Sequence, residues 1–105
     1  MQRVIDRIVT FREERGWARY HSMKDLALGL LVEAGELADH FLYLDEAALR
    51  ARVAEDPVPF EDELSDVLYW TLLMAHDLGI DLEAAFERKM AKNEAKYPVG
   101  ASDLA

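Results

Sequence analysis

Two pairs of carboxylates are the residues of this chain whose types and spacing point most directly to chemistry. Glu33 and Glu36 lie in VEAGELAD, and Glu63 and Asp66 lie in EDELSDVLYW. Each pair has i, i+3 spacing, so on a helix both side chains share one face, about 5–6 Å apart at Cβ. Carboxylates beside apolar helix repel one another and resist desolvation, and a divalent cation relieves both costs. Because oxygen ligands suit Mg²⁺ or Mn²⁺ better than Zn²⁺, the pattern predicts a metal site of the kind that handles polyphosphates.

The elements that must position these acids are predicted to be helices. Hydrophobic periodicity predicts an all-α fold of four helices at about 3–15, 23–44, 60–78 and 82–96, with a brief helical piece at 46–53. The segment 55–59 contains two prolines and is expected to be a loop. An antiparallel pairing of the second and third helices would bring the four carboxylates together.

Capping residues support these helix boundaries. Ser22, with Asp25 three residues later, is the expected N-cap of the second helix, and Asp45 and Asp81 are expected to cap the helices that follow them. Gly16 is expected to end the first helix.

Length and composition set the class of protein. A chain of 105 residues, 51% hydrophobic and 31% charged, is a single globular domain, here predicted at 1–98 with a flexible tail at 99–105. No uncharged stretch approaches the roughly 18 residues of a membrane span. The absence of cysteine excludes disulfides and thiolate metal sites and fits a reducing cytoplasm. A net charge of −9 disfavours binding to nucleic acid through its phosphates.

The middles of the second and third helices are apolar nearly all round. Four helices in so short a chain form a thin bundle, so these surfaces predict a homo-oligomer. The alternative is that the first and last helices cover them completely.

Other metal and nucleotide sites fit the sequence less well. One Glu-x-x-Glu pair alone is usually a solvated surface, and a di-iron bundle needs Glu-x-x-His, which is absent from the sequence. The sequence also lacks the glycine-rich Gly-x-x-x-x-Gly-Lys phosphate loop.

Several residues near the acids are candidates for binding. His40 follows Glu36 by four residues and is a partner of the carboxylates, a phosphate contact or a packed side chain. Trp70 follows Asp66 by four residues, so its indole can stack on a nucleobase or belong to the core. His21 lies in a polar loop that can meet a ligand. The last helix carries Lys89, Lys92 and Lys96, which either contact phosphate or complement the helix dipole.

Nearly the whole chain resembles the MazG-like nucleoside triphosphate pyrophosphohydrolases of the all-α NTP pyrophosphatase superfamily. The likeness lies in FREERGWARYHSMKDLALGLLVEAGELADHF, ELSDVLYWTLLMAHDLGIDL and KMAKNEAKYP. The opening and closing segments are similar to the dCTP pyrophosphatase-like branch in particular. The resemblance implies that Glu33, Glu36, Glu63 and Asp66 are Mg²⁺ ligands, and that subunits form dimers or dimers of dimers that share their sites.

The resemblance also implies residues that bind the substrate. The candidates for phosphate or nucleotide contacts are Lys24, Lys89, Asn93, Lys96 and Tyr97, and those for the base pocket are Trp17, His21 and Tyr43. Relatives in this branch often carry Trp at the position of Tyr43, and fuller versions of the first motif carry Glu at the position of Val32.

The reaction implied is hydrolysis of the α–β phosphoanhydride of a (deoxy)nucleoside triphosphate to the monophosphate and pyrophosphate. One of the four carboxylates would act as general base, and Glu36 is the first candidate. The substrate would be a dCTP-like or noncanonical nucleotide. Two alternatives stay open: a non-catalytic helical module that binds nucleotide or oligomerises, and a phosphoribosyl-ATP pyrophosphatase.

Overall fold

The computed structural model describes residues 1–100, and within that range the chain forms five α-helices and one 3₁₀ turn, without strands. In chain order these are α1 (Gln2–Glu14), the 3₁₀ turn (Ala18–Tyr20), α2 (Met23–Asp39), α3 (Glu46–Glu55), α4 (Val58–Asp77) and α5 (Leu82–Lys96). The all-α prediction is confirmed, although the brief piece expected at 46–53 is a full helix, which makes five helices rather than four. Of the tail predicted at 99–105, residues 101–105 lie outside the described part of the chain.

The predicted caps are confirmed. The Ser22 hydroxyl accepts a hydrogen bond from the Asp25 amide at 3.1 Å, and the Asp25 carboxylate accepts one from the Ser22 amide at 3.0 Å. Asp45 and Asp81 each accept a hydrogen bond from the backbone amide three residues further on. Gly16 follows α1 with φ +65°, a left-handed conformation that glycine adopts without steric cost.

A predicted helix end and a predicted loop are wrong. The second helix was expected to continue to Leu44 but ends at Asp39. The amides of His40 and Phe41 bond to carbonyls three residues back instead of four, and Tyr43 at φ +68° then turns the chain towards α3. The apolar run Phe41–Leu44 continues the helical pattern and therefore concealed this turn. The loop predicted at 55–59 is shorter than expected, because α3 reaches Glu55 and α4 begins at Val58, close to the expected start near Phe60. A proline is tolerated in the first turn of α4, where its missing N–H has no helical partner.

The site depends on the pairing of α2 with α4. Early residues of α2 meet late residues of α4, since Leu26 and Leu72 share one buried cluster, whereas Glu33 lies against Glu63. This order of contacts means that the two helices run antiparallel, as predicted. Helix α1 packs across α4 and adds Ile8 to the same cluster.

A buried ion pair fixes α1 to the end of α4. Arg12 is 6% exposed, and its two terminal nitrogens donate to the Asp77 carboxylate oxygens at 2.6 and 2.7 Å. This pairing raises the pKa of Arg12 and lowers the pKa of Asp77. The arrangement is bidentate, which stabilises a buried charge that would be costly alone.

Much apolar surface stays uncovered in the single chain. Leu31 is 66% exposed on α2, and Leu64 and Phe86 are 56% and 59% exposed on α4 and α5. The radius of gyration is 17.1 Å, whereas a compact chain of this size has about 13 Å. None of the helices within residues 1–100 has the combined length and hydropathy needed to span a bilayer.

Candidate functional site

Three of the predicted acids converge between α2 and α4. Glu33 and Glu36 come from α2 and Glu63 from α4, and each offers a carboxylate oxygen within 4.8 Å of the other two. Glu33 and Glu63 are partly buried, while Glu36 is exposed to solvent. The i, i+3 spacing on α2 and the antiparallel packing against α4 together produce this cluster.

The cluster has unsatisfied oxygens that suit a cation. Glu33 Oε2 and Glu63 Oε2 are buried, and neither has a hydrogen-bond partner within residues 1–100. Burial and then the neighbouring Glu36 raise the pKa of Glu33 to about 7, with smaller contributions from the charges of Asp66 and Glu63. Buried polar groups in proteins are normally paired, and a divalent ion would supply the missing partner for hard oxygen ligands. The residues present therefore fit a metal ion.

Asp66 and His40 lie beside this cluster. Asp66 is exposed one turn after Glu63 and lines the same cavity as Glu33, but its oxygens are not part of the 4.8 Å group. His40 Nε2 lies 3.6 Å from Glu63 Oε1, and its ring packs on Phe60 with centroids 5.1 Å apart. His40 is thus packed on Phe60 and also in contact with a carboxylate of the cluster, so two of its predicted positions, beside the carboxylates and in the packing, occur together. A contact of His40 with phosphate stays a prediction.

An aromatic cavity of about 380 Å³ opens next to the acids. Helices α1, α2 and α4 and the segment before the 3₁₀ turn line this open cavity, with carboxylates contributed from α2 and α4. Its walls are Val4, Arg7, Ile8, Phe11, Trp17, Glu33, Asp66, Tyr69 and Trp70. A cavity that joins carboxylates to aromatic rings can hold a ligand with one flat apolar end and one end that binds metal.

Three of the predicted base-pocket residues lie in or beside this cavity. Trp17 and Trp70 line it, and the His21 ring contacts Trp70 edge-on with centroids 5.6 Å apart. In the described part of the chain, His21 Nδ1 and the Tyr69 hydroxyl are buried without hydrogen-bond partners. Burial also raises the pKa of Tyr69, so its hydroxyl keeps its proton and can donate to a ligand.

Two other predicted residues lie on the surface. Lys24 is exposed in the first turn of α2, and Tyr43 is completely exposed in the turn between α2 and α3. Tyr43 does not line the aromatic cavity of the single chain. Their contacts with a nucleotide stay predictions.

The predicted phosphate contacts lie on α5 and at its C-terminal end, where two of their local contacts are described. Asn93 Nδ2 lies 3.9 Å from Met90 Sδ, and Lys96 Nζ lies 5.2 Å from the Tyr97 ring centroid. None of Lys89, Asn93, Lys96 and Tyr97 lines the aromatic cavity. Their roles also stay predictions.

The contribution of α1 to the cavity was missed from the sequence. Val4, Arg7, Ile8 and Phe11 follow the i, i+3, i+4, i+7 pattern of one helix face, and the sequence analysis assigned no binding role to them. Arg7 is the one charged residue on that face, and this interruption was the available signal for a polar ligand.

Comparisons with known proteins agree with this geometry. A sequence profile of the MazG-like family matches residues 30–104. The chain is similar to dCTP pyrophosphatase 1 of Rattus norvegicus, with 35% identity over 91 residues, which is 85% of this chain and 54% of the relative. It is 33% identical over 90 residues to dCTP pyrophosphatase 1 of Homo sapiens, covering 84% of this chain and 53% of the relative. The chain therefore spans about half the length of the curated relatives it matches.

A solved structure extends the likeness to the fold. A crystal structure of a pyrophosphatase from Archaeoglobus fulgidus superimposes with a TM-score of 0.85 at 33% sequence identity, covering 93% of this chain and 92% of that one. The predicted resemblance is thus confirmed in both sequence and architecture, and the chain belongs to the MazG-like family.

Proposed function

We propose that this protein hydrolyses (deoxy)nucleoside triphosphates between the α and β phosphates, releasing the monophosphate and pyrophosphate with Mg²⁺ as cofactor. The observation that carries the proposal is the contact between an acid cluster with unpaired buried oxygens and an aromatic cavity. A nucleotide has the matching polarity, since its base is flat and its triphosphate binds divalent cations.

The relatives support this reaction. Those matched in sequence are dCTP pyrophosphatases and the matched structure is a pyrophosphatase. We therefore propose dCTP-like or noncanonical deoxynucleotides as substrates and removal of such nucleotides from the dNTP pool as the role. The cysteine-free composition is compatible with a cytoplasmic location, and the net charge of −9 with the absence of a nucleic-acid partner.

Glu33, Glu36 and Glu63 would hold the metal, and Asp66 is the fourth proposed ligand at the edge of the cluster. Bound Mg²⁺, or Mn²⁺ in its place, would neutralise triphosphate oxygens and acidify a water molecule. Glu36 is the proposed general base, because its exposure leaves the carboxylate accessible to the attacking water. Its carboxylate would take up the proton that the water loses on attack.

The aromatic residues would bind the base. Trp17 and Trp70 provide flat surfaces on the cavity wall, and His21 Nδ1 and the Tyr69 hydroxyl provide unpaired polar groups that can distinguish base edges. We propose that residues from two further regions complete the site: Lys24 and Tyr43 around α2, and Lys89, Asn93 and Lys96 on α5 with Tyr97 directly after it.

We propose that a second copy of this chain is needed for that completion. The apolar residues exposed on α2, α4 and α5 and the large radius of gyration indicate a protomer that lacks part of its packing. A dimer, or a dimer of dimers, would cover these surfaces and bring the cations of α5 to a neighbouring acid cluster. Light scattering coupled to size exclusion measures the oligomeric state, and a monomer at micromolar concentration would contradict this part of the proposal.

The reaction is tested by measuring release of pyrophosphate and of orthophosphate from canonical and modified dNTPs, with Mg²⁺ and with EDTA. We expect Mg²⁺-dependent release of pyrophosphate together with the monophosphate. Orthophosphate alone would mean cleavage at the γ phosphate. No turnover with any nucleotide would favour a non-catalytic binding module instead.

Isosteric variants assign the activity to the cluster. Glu36→Gln and Asp66→Asn should each lower kcat by at least about 100-fold with helicity unchanged by circular dichroism, as removal of a preorganised charge does elsewhere. Glu61→Gln is the matched control, because Glu61 is exposed on the same helix as Glu63 and outside the cluster. Full activity in both cluster variants would remove the metal-site proposal.

A further inference from the structure

Gly29 lies unusually close to Trp70. A Cβ atom at Gly29 would be 2.8 Å from Trp70 Cδ2 and Cε3 and 2.9 Å from Cε2. Carbon atoms in contact normally lie about 3.5–4.0 Å apart, so there is no room for a methyl group. Because three fused-ring atoms are almost equidistant, the indole lies with its face against the backbone of α2.

The helix itself does not need glycine at this position. Glycine is a poor helix former compared with alanine, and Gly29 lies well inside α2. Gly35 in the same helix would have no neighbour within 4 Å of an added Cβ. The three atoms nearest to an added Cβ at Gly29 all belong to Trp70, which is therefore the first side chain that a methyl group would meet.

The indole separates Gly29 from the aromatic cavity. Trp70 lines that cavity together with Glu33 and Asp66, whereas Gly29 does not line it. Gly29 precedes Glu33 by one helical turn, and Trp70 follows Asp66 by one turn. Contact between these two residues thus sets the position of the wall that stands next to the carboxylates.

Other aromatic rings enclose the indole. His21 contacts it at a centroid distance of 5.6 Å and Tyr69 at 5.4 Å, both nearly edge-on. With these rings at its sides and α2 behind it, an indole displaced from Gly29 has the open cavity as its free direction.

We propose that Gly29 is a positioning residue that determines the size of the base pocket by allowing Trp70 to lie against α2. The proposal rests on the proposed nucleotide pyrophosphohydrolase function, of which it specifies the substrate pocket. A methyl group at position 29 moves the indole into the cavity and obstructs the base, while the acid cluster keeps its ligands.

The test is a double-mutant cycle on the full chain. Gly29→Ala should raise KM for the best nucleotide about tenfold, equivalent to about 1.4 kcal/mol and within the usual cost of overpacking by one methylene group. The value of kcat and the Mg²⁺ concentration for half-maximal activity should change less than about twofold, because the carboxylates are untouched.

Trp70→Leu is the matched background, since leucine removes the fused ring. Adding Gly29→Ala to Trp70→Leu should change KM by less than about twofold, because the methyl group then meets no indole. The proposal would be overturned if Gly29→Ala raised KM equally in the wild-type and Trp70→Leu backgrounds, or if it raised KM in neither.

A measurement without substrate separates this proposal from the proposed reaction. The chain has two tryptophans, so Trp17→Phe leaves Trp70 as the sole emitter. In that background, Gly29→Ala should shift the emission maximum of Trp70 in EDTA, and an unchanged spectrum would refute the displacement even if nucleotides are hydrolysed. A shift in a protein that hydrolyses no nucleotide would support the positioning role while the proposed reaction fails.

Discussion

Replacing Glu33 by glutamine should abolish activity and at the same time stabilise the metal-free protein. Glu33 faces the carboxylates of Glu36 and Glu63 with oxygens within 4.8 Å. Two unit charges at that distance repel by about 1 kcal/mol in water and by about 3.5 kcal/mol at an effective dielectric constant of about 20. Since Glu36 is exposed, we use a repulsion of about 1 kcal/mol for each pair, Glu33–Glu36 and Glu33–Glu63. Removing both repulsions should therefore raise the free energy of unfolding by about 2 kcal/mol.

The stability that Glu33→Gln gains over the wild type should increase as the pH rises. Because the pKa of Glu33 is raised to about 7 from an ordinary value of 4.5, the folded protein retains a proton that the unfolded chain has released in that interval. The stabilising contribution of this proton is fully present below about pH 4.5 and is lost as the pH rises through 7. The wild type in EDTA should therefore lose stability between pH 5 and pH 8, and Glu33→Gln should lose less.

Thermal unfolding in EDTA at pH 5.5 and pH 8 measures this effect. A gain of about 2 kcal/mol corresponds to about 10 °C in Tm for a domain of this size. Glu61→Gln is again the control, and Mg²⁺ should raise the Tm of the wild type but not that of Glu33→Gln. If the Tm of Glu33→Gln in EDTA at pH 8 is equal to or below that of the wild type, the proposed repulsion between the three carboxylates is refuted.

Three further substitutions test other parts of the structure. Asp77→Asn should lower the free energy of unfolding in urea by about 3 kcal/mol, because it leaves the buried charge of Arg12 unpaired. The double variant Arg12→Met/Asp77→Leu should recover most of that loss. A smaller loss of stability in Asp77→Asn than in the double variant would contradict this. His40→Ala should weaken Mg²⁺ binding about tenfold, because it removes the neighbour of Glu63, and a higher Mg²⁺ concentration should restore activity. If the Mg²⁺ dependence of activity is unaltered, His40 contributes only to packing. Where the chain is monomeric, Tyr43→Gly should raise its stability by about 1 kcal/mol, because glycine relieves the positive φ. Where the proposed oligomer forms, loss of the ring should lower stability, and an equal gain in both states would contradict a place for Tyr43 beside a second copy.

Features that depend on a few neighbouring residues could be predicted from the sequence. The N-caps at Ser22, Asp45 and Asp81 were recognisable because a capping side chain bonds to an amide three residues away. The pairing of Glu33 with Glu36 was recognisable because helical periodicity places i and i+3 on one face. The antiparallel hairpin of α2 and α4 followed from the two apolar segments and the connection between them.

The end of α2 and the side-chain contacts between helices were not predictable in this way. The apolar run after Asp39 continues the periodicity of α2, and the turn that follows at Tyr43 has no glycine to indicate it. Arg12 and Asp77 each look like ordinary surface charges in the sequence, because the pair forms only when α1 crosses the end of α4.

By itself, the sequence determined the helices, their caps, the acids available for a metal site and the resemblance to the MazG-like family. The tertiary structure alone decided that Glu63, more than Asp66, joins the two acids of α2, and that an aromatic cavity with a contribution from α1 lies beside them. It also decided that the indole of Trp70 rests on Gly29. The physical reason is that hydrogen-bond and hydrophobic patterns within one helix are local, whereas distances between side chains on different helices depend on how whole helices pack.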